Sequence, residues 1–298
     1  MLSMSRVRNN TRMLAAAACT TLILASSPAW AQDAPAVDPN PGALTLTGTF
    51  DVLNQYMFRG IRQNSTGIAM WPAVDLGIAA YSSDGTFKGL GINFGTWNSL
   101  HTGDTGADNP RNGKLWYESD FYTTLALGFG GGVSLSATYT AYSSPNDGFS
   151  TVKEISFKLG VDDSARLGRA AVKPYVILAQ EFNTDIATGQ ADGGDNAGTY
   201  MEIGIAPGYY GLSQASFAFP IKVGFSLNDY YELAGQDNKF GFFSIAGIVT
   251  VPLGATSNFG GWNLHGGVEY QALGTTTEFF NGGESNQWIG SFGIGFSY

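Results

Sequence analysis

The chain has 298 residues, of which 13% are charged, 44% hydrophobic and 13% aromatic, with 41 glycines and a formal net charge of -9. A soluble domain of this length carries about a quarter charged residues, so the charge here is too sparse to cover a water-facing surface, and an ordinary soluble enzyme is disfavoured. Repeated apolar runs of roughly 20 residues, which helical spans require, are absent; glycine has no three-residue period and the aromatic content argues against disorder, which leaves an aromatic-rich β protein that keeps its polarity inside.

At the N-terminus Arg6, Arg8 and Arg12 precede an apolar stretch from Leu14 to Ala25 and an Ala29-Trp30-Ala31 site before Gln32. That order is a secretory signal peptide, residues 1–31, and the mature chain is expected to begin at Gln32. Cys19, the single cysteine, lies inside the apolar stretch and leaves with it, so no disulfide or thiol chemistry is expected afterwards. Three of 15 basic residues leave and none of the 24 acidic ones do, so the charge falls to 12 - 24 = -12. Without a basic run past Arg12, nucleic acid is not an expected partner. Residues 32–43, rich in Ala, Asp and Pro, read as a short periplasmic lead-in.

A two-residue period begins at Leu44. Leu44, Leu46, Gly48, Phe50, Val52, Asn54, Tyr56 and Phe58 alternate with Thr45, Thr47, Thr49, Asp51, Leu53, Gln55, Met57 and Arg59, which is a strand with one greasy and one wet face. The template recurs, predicting strands near 44–59, 68–81, 87–98, 114–128, 132–143, 151–162, 171–183, 199–210, 215–228, 239–252, 260–272 and 287–298. Twelve is even, many strands reach the ten residues that a tilted crossing needs, and short connections alternate with longer ones. Pro72, Pro174, Pro207, Pro220 and Pro252 fall near predicted strand ends, where a missing amide is tolerable. The stretch Ile245 to Val251 is apolar on both faces, so its register is not readable.

Twelve strands enclose an interior too wide for a greasy core to fill, so the apolar face is assigned outward to lipid and the polar face inward to water. The predicted fold is all-β: a transmembrane antiparallel up-and-down barrel over residues 44–298, in the bacterial outer membrane with both termini periplasmic. Tyr56, Phe58, Trp97, Tyr117, Tyr209 and Tyr270 are candidates for interfacial girdles. On the last strand Trp288, Phe292, Ile294, Phe296 and Tyr298 share one face and the chain ends on an aromatic. That resembles the terminal strand of outer-membrane barrels, which their insertion machinery reads, and it makes that machinery and outer-membrane lipid expected partners.

The run Tyr56-Met57-Phe58-Arg59-Gly60-Ile61-Arg62-Gln63, followed by Pro72-Ala73-Val74 and Trp97-Asn98, resembles the opening of the TorF-type porins, also called the Gcw_chp family. The likeness covers residues 44–98 clearly and the rest in general pattern; Arg62 stands where many relatives have a small residue. It implies an outer-membrane barrel with a pore role, and carries over no catalytic residues.

Strand parity assigns Asp51, Asp75, Glu118, Asp120, Glu154, Glu181, Glu202 and Glu269 to the lumen with Arg59, Lys114, Lys158, Lys173 and Lys222. Eight acids against five bases favour cations modestly, or the charges pair across strands and brace the wall. Trp71, Trp116, Tyr122, Tyr175 and Tyr200 share the inward parity, as a slide for amphipathic solutes or as a plug. Only His101 and His265 serve proton transfer; the neighbours of His265, Gly266 and Gly267, offer no nucleophile and His101 is placed in a Gly/Asp loop, so apart from a pairing with a distant serine no catalytic site is expected. The loops from Asp104 to Asn109 and Asp192 to Asn196 lack calcium-loop spacing, and neither metal nor cofactor is expected. The expected function is a diffusion channel for small hydrophilic solutes; the alternatives are an outer-membrane lipid hydrolase or protease, or a non-conducting structural or surface-recognition barrel.

Overall fold

The computed structural model describes residues 42–64, 66–105, 115–182, 196–209, 215–254 and 260–298. The expected signal segment, nearly all of the expected lead-in, Lys114 and most of both Asp/Asn/Gly loops lie outside them. The period seen in the sequence becomes twelve antiparallel strands: β1 Leu44–Leu53, β2 Ala69–Ser82, β3 Phe87–His101, β4 Trp116–Phe129, β5 Val133–Ser143, β6 Val152–Val161, β7 Tyr175–Glu181, β8 Thr199–Ile205 continued by Gly208–Tyr209, β9 Ser216–Ala218 continued by Ile221–Asn228, β10 Phe240–Pro252, β11 Gly261–Leu273 and β12 Asn286–Ser297. Each pairs with its neighbours in sequence, and β12 pairs back onto β1 from Thr47↔Ser297 to Leu53↔Ser291, so the sheet closes into a barrel. Closure removes the unpaired edges that a sheet of this size would otherwise expose. Leu46 and Tyr298 exchange backbone hydrogen bonds at 2.6 and 2.8 Å, so the two ends of the barrel chain meet at the short-turn rim.

Apolar side chains point outward. Phe50, Leu125 and Phe157 are 42%, 45% and 48% exposed, whereas Asp51 and Asp120 on the alternate parity are 9% and 4% exposed. This inverts a soluble core, in which large hydrophobics are the residues removed from water. β10, unreadable from its sequence, resolves the same way: Ile245, Val249 and Val251 are exposed and Ala246 and Ile248 buried. Outer aromatics collect near both rims, with Tyr81 stacked on Phe87 and Phe87 against Phe129 at the short-turn end, and Trp116, Phe240 and Trp288 toward the other.

Prolines sit where the ladder yields. β8 breaks before Gly208 at Pro207 and β9 before Ile221 at Pro220, which is why fourteen hydrogen-bonded segments make twelve staves. Pro72 is interior to β2, where the Asn98 side-chain amide donates to its carbonyl at 3.4 Å. Two short helices occupy connections: α1 Ser164–Leu167 after β6, and α2 Thr275–Phe280 between β11 and β12.

The main departure from the expected layout is β1. It ends at Leu53, not near residue 59, and the chain then turns into the barrel. Consequently Tyr56 and Phe58, expected at the membrane interfaces, are buried in the interior, as are Trp97 on the inward parity of β3 and Tyr117 on β4, expected there too. The lumen is not left to water alone; an inserted segment and its aromatic surroundings fill the long-loop half.

Candidate functional site

The inserted segment is a two-residue hairpin, Met57–Phe58 paired with Ile61–Arg62. Its central residues Arg59 and Gly60 have φ of 46° and 86°, the signs of a type I′ turn. Gly60 meets that requirement freely; Arg59 does so at a cost of about 1 kcal/mol, so something must hold the arginine there. Tyr56, Met57, Phe58 and Ile61 are buried against Trp71, Trp97, Tyr117, Tyr142, Tyr200, Tyr230, Tyr231 and Phe242 from the wall and neighbouring loops. Each such apolar side chain contributes about 1.5–3 kcal/mol to seating the hairpin. Polar clamps fix its backbone: Asn281, just past α2, donates to Gly60 O at 2.8 Å and accepts from Arg62 N at 3.0 Å, and Tyr231 donates its hydroxyl to Arg59 O at 2.9 Å.

At the tip, the Arg59 guanidinium spans to β6, where it meets Glu154 in a two-point contact, Nη1 to Oε2 at 2.7 Å and Nη2 to Oε1 at 2.9 Å. Nη1 also donates to the Tyr230 hydroxyl at 2.9 Å, and Cζ lies 4.1 Å from the Tyr200 ring centroid. Tyr142 donates to Glu154 Oε1 at 3.3 Å. Arg59 and Glu154 are 4% and 1% exposed at their side chains. Burial by itself would make the guanidinium easier to deprotonate, but the Glu154 carboxylate, with Tyr230 and Tyr142, outweighs it and holds the Arg59 pKa above its ordinary value. The two-point contact is the planar, charge-assisted geometry in which a guanidinium meets a carboxylate.

Around this latch the inner wall is rich in carboxyls. Asp51, Asp75, Glu118, Asp120, Glu154, Glu181, Glu202 and Glu269 are all buried, as parity required. Most are engaged: Asn93 donates to Asp75 at 2.9 Å, Tyr175 and Tyr200 donate to the two Glu202 oxygens at 2.8 Å, Ser244 and Gln271 donate to Glu269 Oε1 at 2.5 and 2.8 Å, and Gly198 N donates to Glu181 at 2.9 Å. Lys158 and Lys222 face inward as expected, with Lys158 Nζ 4.8 Å from the Tyr175 ring centroid and Lys222 Nζ 3.9 Å from Glu202. Trp71, Tyr122 and Tyr200 are buried inside as well.

Three positional expectations are corrected. Arg59 enters the lumen from the hairpin rather than from a strand. Trp116 is 48% exposed on the outer face; a register shift between Ser99 and Leu100 sets two residues, Tyr117 and Glu118, opposite one, both turn inward, and parity inverts before them. Lys173 precedes β7, which begins only at Tyr175, and sits at φ 46° in the connecting segment.

Two arrangements escaped sequence reasoning. His101 is the last residue of β3, not a loop residue, and its Nε2 lies 2.8 Å from Ser99 Oγ, which also accepts from Trp71 Nε1 at 3.1 Å; the i, i+2 spacing on one strand face was the available signal. His265 bridges to Asp51 with Nε2 at 2.5 Å and to Asn263 with Nδ1 at 2.9 Å, across the seam where β12 meets β1. With both ring nitrogens engaged, His265 has none free to accept a proton from a nucleophile.

No family model and no curated protein matches the chain. Among solved structures it is similar to a NanC porin, at 15% identity over 86% of this chain and 99% of that one, with a TM-score of 0.41. It is similar also to the KdgM porin in complex with disordered oligogalacturonate, at 6% identity over 85% and 99%, TM-score 0.43. A third is the Salmonella typhi outer membrane phospholipase dimer with bound calcium, at 11% identity over 84% and 90%, TM-score 0.44. Likeness at this level gives no residue correspondence, and the barrel itself stands on its strand ladder.

Proposed function

We propose that this chain is an outer-membrane barrel of porin type that passes small hydrophilic solutes with a preference for cations, and that the Arg59 hairpin is its constriction. The observation that carries the reading is the hairpin lodged in a lumen walled by carboxyls, inside a closed barrel whose outer face is apolar. Such an exterior matches hydrocarbon, and the inward carboxyls focus a negative potential along the axis. The resemblance of residues 44–98 to the TorF-type porins points the same way, and no family model matches the chain to support it.

Planar-bilayer recording tests this. Replacing residues 56–63 by a short Gly/Ser linker is expected to raise single-channel conductance several-fold over wild type, with a reversal potential in a KCl gradient on the cation-selective side. If the hairpin-less barrel, still heat-modifiable on a gel, never conducts, the conduit reading fails and a structural or surface-recognition barrel takes its place.

A hydrolase reading has one observation in its favour, the Ser99–His101 contact. Against it, His101 Nδ1 is buried with no hydrogen-bond partner, so no carboxyl orients the imidazole as a general base. Two rings also cover the pair: Tyr56, leading into the hairpin, lies edge-on to the His101 ring at 6.0 Å, and Tyr117 of β4 stacks on it at 4.5 Å. Ser99→Ala is expected to leave any lipid or peptide hydrolysis by the purified barrel at the level of the wild type; a loss of turnover would reinstate the enzyme.

A further inference from the structure

The seat of Arg59 has the composition of a receptor site. We propose that Glu154, Tyr200, Tyr230 and Tyr142 form a binding cage for guanidinium-bearing cations, which Arg59 occupies as a built-in ligand and for which a solute guanidinium competes.

Each wall element supplies one part of guanidinium recognition. Glu154 on β6 offers both oxygens to a planar fork, and Tyr230, from the loop after β9, supplies a third acceptor in its hydroxyl. Tyr200 on β8 supplies the flat face, at 4.1 Å from the cation's carbon. A planar fork with a π face selects guanidinium over ammonium, whose compact charge can neither bridge two oxygens in parallel nor stack.

The cage is also built independently of its occupant. Tyr200 is tied to Glu202 through its hydroxyl at 2.8 Å, Tyr142 holds Glu154 at 3.3 Å, and the Tyr230 amide donates to Ser226 Oγ at 3.0 Å. The Tyr200 and Tyr230 rings lie 5.0 Å apart, as do those of Tyr230 and Tyr231. None of these contacts involves the hairpin, so removing the arginine side chain leaves acceptors and ring in place. Glu181, across the β6–β7 ladder from Glu154, keeps the surroundings negative. A site preorganised in this way spends little of its interaction on ordering itself when a ligand enters. The ligand class deepens the conduit reading, because a cage on the lumen wall meets passing solute only if the hairpin opens; binding to a vacated cage does not depend on conduction.

Arg59→Asn is the variant to use, because Asn-Gly is the favoured pair for a type I′ turn and preserves the hairpin while emptying the cage. Methylguanidinium, titrated by saturation-transfer NMR against the folded variant in micelles, is expected to bind with a dissociation constant on the order of millimolar. Methylammonium and urea, which carry the charge without the fork and the fork without the charge, are expected to bind at least tenfold more weakly. Glu154→Gln in the Arg59→Asn background is expected to abolish saturation. Arg59→Gly serves as a second carrier should the first fail to show heat-modifiable migration. Equal binding by the Glu154→Gln double variant, equal binding of methylammonium, or no binding by a folded single variant would each overturn the cage. In bilayers, methylguanidinium should raise wild-type open probability by displacing Arg59. Binding without that rise would retain the cage and remove its competition with the hairpin; a hairpin-less barrel that never conducts, beside positive NMR binding, would remove the conduit reading alone.

Discussion

Glu154→Ala is expected to release the hairpin, raising the ratio of open to closed lumen on the order of 10²–10³-fold. The substitution leaves the Arg59 guanidinium buried among Tyr200, Tyr230 and Phe58 with a single hydroxyl acceptor. Removing one partner of a buried ion pair costs about 3–5 kcal/mol because the other charge stays desolvated. Opening relieves that cost, since the arginine then reaches water. The barrel itself does not depend on the pair: β5, β6 and β7 remain zipped by their ladders, and Glu154 lies opposite Thr140 and Glu181 whatever its side chain. The Asn281 and Tyr231 clamps and the buried Phe58 and Ile61 also persist, so the change falls on the opening equilibrium and not on folding.

Trypsin reads this without reference to conductance. The bonds after Arg59 and Arg62 are shielded while the hairpin is seated, and cleavage there tracks the open population when opening is fast relative to proteolysis. Cleavage in Glu154→Ala should rise by the same factor as open probability. Combining it with Arg59→Asn should largely restore closure, because a neutral occupant has no charge to hydrate, and replacing both members of a buried pair is close to neutral. Conductance and cleavage after Arg62 are then the readouts, the bond after residue 59 no longer being a tryptic site. If the bond after Arg59 in Glu154→Ala is as resistant as in wild type, the ion pair is not what holds the hairpin.

The barrel was legible in the sequence because its wall obeys a local rule. Alternation places Phe50 outside and Asp51 inside without knowledge of any other strand, and the same parity found all eight inward carboxyls. The rule failed where its premise failed. At Trp116 a bulge inserts a residue, and nothing in Trp116-Tyr117-Glu118 announces it, since register shifts belong to the pair of strands rather than to either sequence. At residues 54–59 alternation persists in composition although the strand has ended. Tyr56 and Phe58 then find apolar surroundings inside the barrel, against Trp71, Trp97 and Tyr142, that mimic those expected outside it. Arg59-Gly60 is a weak turn signal, because arginine is not a residue that left-handed positions favour. Contacts such as Arg59 to Glu154, 95 residues apart, exist only once the lumen has closed around the hairpin.

Gly293→Val tests the other long-range contact, and it is expected to destabilise the barrel by about 2–4 kcal/mol. Asp51 on β1 and His265 on β11 lie on either side of Gly293 on β12, each directly opposite it in register, so their hydrogen bond passes over the glycine. A Cβ at position 293 would overlap Asp51 Oδ1, fall 2.6 Å from His265 Nε2 and lie 2.9 Å from Phe50 O. The first two atoms can retreat only by parting, and the third is backbone of the closing strand. Separation costs the Asp51 carboxylate its hydrogen bond, about 1.5–3 kcal/mol, and crowding of the backbone adds about 1–3 kcal/mol, against which the strand propensity gained over glycine is at most about 1 kcal/mol. Urea unfolding in micelles, followed by far-UV circular dichroism, measures the difference. Gly290→Val on the same strand is the control: its Cβ meets nothing within 4 Å, so its midpoint should stay near wild type. Adding Asp51→Asn to Gly293→Val should recover part of the loss, because a neutral amide is less costly to leave unpaired than a carboxylate. A Gly293→Val barrel that unfolds at the wild-type midpoint would mean that the seam between the first and last strands is held by its backbone ladder alone.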